Sequence, residues 1–318
     1  MDNEGFQAYL HQHDEEIWEA VLENLIPSVH PVDRDATRIW FALWPLKLLR
    51  LLQASTDEDA TAKEFLLDGK YRLHDHVDSS VDFLYGSIYW HHVKQALIKR
   101  SSSESHPPGE NLEGEIRSLA QKLASELNTE PALLLGISAV AFMAHQQLGA
   151  RAFQVTSDSR ETKQKKISPE RILKQRSRRR TQGLFGFLRT VNRKFKITFD
   201  ERKASSTFQC IEGQDLSSAS AGDERDYQTE DHRRIAGPIP AECRVASCGY
   251  CWIGILSGRK NLIEMSDHER KRLEYFGYAD ASSHHESHPL IRLACQSKCY
   301  GDVTVIVPPW NGSLKGRR

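Results

Sequence analysis

The chain has neither a G-x-G-x-x-G nor a G-x-x-x-x-G-K-[ST] segment, so nothing in it supports a built-in nicotinamide, flavin or ATP site. It has no internal repeat, no partnered nucleophile and no paired-carboxylate motif, so no catalytic constellation is visible and no enzyme is expected. Its longest apolar run, Pro131 to Ala144, falls short of the roughly 20 residues of a membrane-spanning helix. The start, MDNEGFQAYLHQHDEE, is acidic and carries no apolar run behind a basic one, so no signal peptide is read there. A cytoplasmic chain is expected. Only 6 cysteines are present, and in a reducing compartment clustered cysteines read as metal ligands rather than disulfides.

Length and charge divide what remains. The 318 residues are enough for two domains with cores of their own. Lys+Arg and Asp+Glu balance at 43 each, but unevenly along the chain. Residues 1–159 carry 13 basic against 24 acidic side chains, and residues 160–203 carry 16 against 4. The rest is nearly neutral. This pattern predicts a modular chain: an all-α domain over 1–156, a basic linker over 157–192, a second domain over 193–311 and a basic tail over 312–318.

Periodicity supports the division. Phe6 to Leu25 has helical spacing up to Pro27, and Ile39–Leu52 is helical by length with a kink expected at Pro45. Val77–Ile98 reads as a third helix, and Leu112–Leu127 with Pro131–Leu148 as a helical hairpin across a turn. After Arg193 the period changes to two. Phe195, Ile197 and Phe199 alternate with polar residues, and Ser206–Ile211 makes a second strand across DERKAS. A short helix after Gly213–Leu216, strands at Trp252–Leu256 and Val303–Val307, and a charged helix at Ser266–Phe276 complete the second domain. The fold class is therefore α+β.

Chemistry concentrates in Cys243, Cys248, Cys251 and Cys295, which spell C-x4-C-x2-C followed by a distant Cys. That is the ligand spacing of a plant-type [2Fe–2S] centre, in which each iron takes two thiolates. The loop CRVASCGYC at 243–251, the Gly213–Leu216 turn, Ile239-Pro240, the RLACQ of 292–296 and the GDVTV of 301–305 together resemble the plant-type [2Fe–2S] ferredoxins over about residues 193–309. The resemblance implies a β-grasp domain holding one [2Fe–2S] cluster on Cys243, Cys248, Cys251 and Cys295. It also implies one-electron transfer, low potential (about −400 mV for all-thiolate plant-type centres) and redox proteins as donor and acceptor. Two departures stand out: Ala246 occupies a position where many such loops carry Gly, and 43 residues separate Cys251 from Cys295. The helical domain reads as a docking element. An alternative is a redox sensor, in which cluster state controls partner binding.

Rival readings cover the other candidates. A zinc site competes for the four cysteines, although zinc knuckles usually show two C-x2-C pairs. Cys210 reads as a small buried hydrophobe, and Cys299 as a spare ligand, a redox thiol or an incidental residue. His74, Asp75, His76 and Asp78, then His91 and His92, and His284, His285 and His288 are weak metal candidates; apart from His284 and His288, at i, i+4 in a Ser-rich stretch that reads as loop, none has ligand spacing. Tyr250 and Trp252 are candidates for a docking edge, with the core as an equal reading of Trp252. The basic segment 160–203 with GLFGFL at 183–188 suits a linker, an acidic partner or a peripheral membrane contact; no nucleic-acid partner is expected.

Overall fold

A computed structural model describes residues 3–64, 73, 76–102, 111–154, 167–178, 193–275 and 287–309. GLFGFL, the tail 312–318, most of the linker 157–192, His74, Asp75, His284 and His285 lie outside the described residues.

The N-terminal apolar stretch forms two helices, α1 (Asn3–His11) and α2 (Glu15–Leu25). Asp14 makes the division, because its carboxylate accepts from the Ile17 amide at 3.0 Å and caps α2. Next come α3 (Arg34–Leu43) and α4 (Leu46–Ala54). The kink expected at Pro45 is a complete break, since proline both lacks an N–H and keeps the residue before it out of the α region. A short α5 (Glu58–Glu64) follows.

The helix expected over Val77–Ile98 is only half present. Its first part is turns and a 3-10 segment, Tyr85–Tyr89, and α6 begins at Trp90 and runs to Ser101. Asp33, 1 % exposed, is the physical reason: its carboxylate takes the Tyr85 and Gly86 amides at 2.6 and 2.7 Å.

The helical hairpin, α7 (Leu112–Leu127) and α8 (Pro131–Gln154), is as the sequence suggests. Asn111 caps α7, and Asn128 turns the chain in the left-handed region. Every side chain from Leu133 to Gln146 is buried, which makes α8 the centre of the helical core. By length and composition α8 could cross a membrane, but 83 % of that stretch is buried within the protein. Its regular path ends at Gly149, φ 71.

By contacts the chain forms two units. One contains 1–51 and 72–169; the other contains 52–71 and 170–318, which brings part of the predicted linker and a segment of the predicted helical domain into the C-terminal unit. There, α9 (Pro169–Arg178) places Arg176 on Glu201 at 2.7 Å.

The C-terminal sheet has five strands. β1 (Lys194–Thr198) and β2 (Thr207–Ile211) form the expected hairpin, with Phe195 opposite Cys210 and Ile197 opposite Phe208. α10 (Leu216–Ala221) follows, capped by Asp215. Then come β3 (Trp252–Ser257), α11 (Asp267–Tyr275), β4 (Ile291–Leu293) and β5 (Val303–Ile306). The order is β2-β1-β5-β3-β4, with β1 parallel to β5 and the other neighbours antiparallel. All six residues of β3 are buried, so both faces of the sheet are covered there. β4 has three residues, too few for a period of two to mark it in sequence.

Candidate iron–sulfur centre

The loop between α10 and β3 is set at its entry by close packing. Gly237, φ 81, passes so near the Ser220 carbonyl that any Cβ would collide with it. The Ile239 amide then donates to Ser220 Oγ at 2.9 Å. Beyond Pro240 three residues lie in the left-handed region: Arg244 (φ 54), Ala246 (φ 61) and Gly249 (φ 70). Two of these carry a Cβ, which costs about 1–2 kcal/mol each. Strain of this kind persists where the surroundings impose it, commonly at functional sites. Ala246 therefore adopts the positive φ that Gly would adopt easily.

The curl aims backbone donors inward. The amides of Val245, Ser247 and Cys248 point at Cys243 Sγ at 3.4, 3.2 and 3.4 Å, a concave nest suited to negative charge. Burial works against a Cys243 thiolate, but the bonds from Ser247, Val245 and Cys248 outweigh it and hold this thiol below its ordinary value.

The four thiols interact chiefly two by two, Cys243 with Cys248 and Cys251 with Cys295. Within each pair one thiol is acidified at the other's expense. Burial pushes Cys248 up to about 11. The bond from Cys251 brings Cys295 down to about 7 against burial, helped by the Gln296 side chain and the Ala246 amide; Cys251 itself is raised. Gln296 Nε2 lies 3.4 Å from Cys295 Sγ.

The long segment between the third and fourth cysteines folds back to brace the site. From α11, Arg272 donates to the Ala246 carbonyl at 3.0 Å and to the Ser247 carbonyl at 2.6 Å. From the same helix, Glu269 grips Arg292 through two bonds of 2.9 Å and accepts the Leu293 amide at 2.7 Å. Both partners are buried, at 0 % and 1 % exposure. Leu293 ends β4, and Cys295 follows two residues later. One helix thus holds both cysteine-bearing segments. Neither Arg272 nor Glu269 carries a sequence signal, because their partners lie more than twenty residues away.

The other candidates fare differently. Tyr250 and Trp252 are 3 % and 1 % exposed, so they are core and not a docking edge; Trp252 opens a strand buried throughout. Cys210 is fully buried in β2, as expected of a small hydrophobe, and its thiol bonds that of Cys299, also fully buried. Asp78 accepts from Lys94 Nζ at 2.8 Å and Trp90 Nε1 at 2.7 Å, a structural role. His91 and His92 are exposed neighbours with rings 6.0 Å apart. Among the described residues, no three His, Cys, Asp or Glu side chains converge on one ion position. Searches against family models, curated proteins and solved structures find no match to this chain.

Proposed function

We propose that the C-terminal unit binds one [2Fe–2S] cluster on Cys243, Cys248, Cys251 and Cys295 and carries single electrons between redox proteins. The observation that carries this reading is the nest of inward amides on Cys243 Sγ, in a loop that holds Arg244, Ala246 and Gly249 in the left-handed region. Two irons sharing two sulfides require two thiolates each, and the interaction of Cys243 with Cys248 and of Cys251 with Cys295 suits that division. The strand order β2-β1-β5-β3-β4 with one short helix after the hairpin supports a β-grasp scaffold for it.

The chain's own residues prepare the site. Amides at 245, 247 and 248 favour a thiolate at Cys243, and Gln296 does the same at Cys295. When bound, the cluster supplies a centre that takes up and releases one electron. A reducing cytoplasm suits it, because the thiols must stay free of disulfides to ligate.

Anaerobic purification of the full chain tests the proposal through iron, sulfide and zinc content, visible absorption and EPR after dithionite. About two irons per chain with a rhombic signal on reduction is the expected result. Stoichiometric zinc without iron, or iron binding that survives serine at all four positions, refutes it.

A further inference from the structure

Cys210 and Cys299 are the two cysteines that the proposed centre does not use, and both are fully buried. A short antiparallel pairing brings them together. The turn after β2 lies along the stretch that follows Cys295. The Gly213 amide donates to the Cys299 carbonyl at 2.8 Å, the Cys299 amide to the Gln214 carbonyl at 3.0 Å, and the Leu216 amide to the Ser297 carbonyl at 3.1 Å. The Gln214 carbonyl also lies 3.5 Å from Cys210 Sγ. One oxygen therefore touches both cysteines.

The thiols differ in character. Contact with Cys210 holds the Cys299 thiol below its ordinary value, while contact with Cys299, together with burial, pushes Cys210 up. One sulfur is thus nearer a thiolate and the other retains its proton, the division of labour in a dithiol couple. Among the described residues no third His, Cys, Asp or Glu joins them as a metal site would require. Either cysteine alone would serve as a small core hydrophobe. Two that meet have a chemistry that alanine or valine lacks, because they can be joined.

We propose that Cys210 and Cys299 form a reversible disulfide when the chain meets a peroxide. The Cys299 thiolate attacks hydrogen peroxide, the O–O bond breaks, and a sulfenic acid forms with release of hydroxide. The Cys210 thiol then displaces water from that sulfur and the S–S bond closes. Two thiols lose two protons and two electrons, and one peroxide becomes two waters. An oxidant this small needs only a local opening to reach the pair. The link closes a loop of about 90 residues containing Cys243, Cys248, Cys251 and Cys295. It braces the C-terminal unit and leaves those four thiols unpaired.

The test treats the full reduced chain, freed of reductant, with hydrogen peroxide at neutral pH. Alkylation in denaturant followed by peptide mapping separates a Cys210–Cys299 link from any link among the other four cysteines. The linked peptide should appear, and dithiothreitol should abolish it. Oxidation should also slow exchange of the most protected β1 and β5 amides about hundredfold. Cys210→Ala and Cys299→Ala, each compared with its own reduced form, should lose most of that slowing, so any cost of the substitution cancels. Absence of the linked peptide, a link without slower exchange, or equal slowing in the unsubstituted chain and both variants overturns the proposal. None of these readouts depends on iron, so their failure leaves the cluster reading untouched.

Discussion

Replacing Glu269 by alanine should damage the C-terminal unit more than any other single side-chain loss from α11. The carboxylate makes three buried bonds: two to Arg292, in the geometry that makes guanidinium–carboxylate pairs strong, and one to the Leu293 amide. Alanine leaves a guanidinium at 1 % exposure with the Ile263 carbonyl at 2.8 Å as a remaining partner. Breaking one side of a buried pair costs about 3–5 kcal/mol, and an unmet buried amide costs about 1–3 kcal/mol. These losses overlap, so the expected destabilisation is about 4 kcal/mol. That is a large part of the total for a domain, about 5–15 kcal/mol. Native-state hydrogen exchange of the β3 and β4 amides in the full chain reads it without interference from the helical unit. Glu269→Gln retains an acceptor for Leu293 and should cost about half as much. The double variant Glu269→Leu/Arg292→Met removes both charges and should recover the ion-pair share of the loss, since apolar replacements of buried pairs are often neutral, leaving the unmet Leu293 amide at about 1–3 kcal/mol. A Glu269→Ala cost below about 1 kcal/mol, or no recovery in the double variant, refutes the argument.

Three further outcomes are expected. Ala246→Gly relieves a left-handed residue and should stabilise the loop by about 0.5–1 kcal/mol after the added unfolded-state entropy is subtracted; chemical denaturation followed by exchange of loop amides checks it. His145, fully buried between Phe6 and Phe153 rings, is lowered by burial from 6.5 to about 4. The unfolded chain thus binds a proton that the folded chain refuses. Stability is whole above about pH 6.5 and should fall by about 3 kcal/mol as the pH drops to 4, and His145→Leu should remove that part of the pH dependence in helical-unit exchange. Gln296→Leu removes a donor to Cys295 Sγ, so a redox titration of the iron-loaded chain should find a more negative potential.

Local patterns along the chain determined much of this protein. Alternation in 195–199 and 206–211, the apolar run at 252–256, the Pro131 helix start and the spacing of four cysteines each depend on neighbours in sequence. Each was legible for that reason. The turns at 76–84 were not, because Asp33 takes the Tyr85 and Gly86 amides from some fifty residues away. The mixed grouping of 52–71 with the C-terminal unit and the burial of Tyr250 were equally hidden. Cysteine spacing named the candidate ligands, but only tertiary structure decided which amides face Cys243 and what braces the loop. That bracing comes from α11 and β4, through Arg272, Glu269 and Arg292. Their contacts cross more than twenty residues, a distance over which no periodicity carries information and only packing decides.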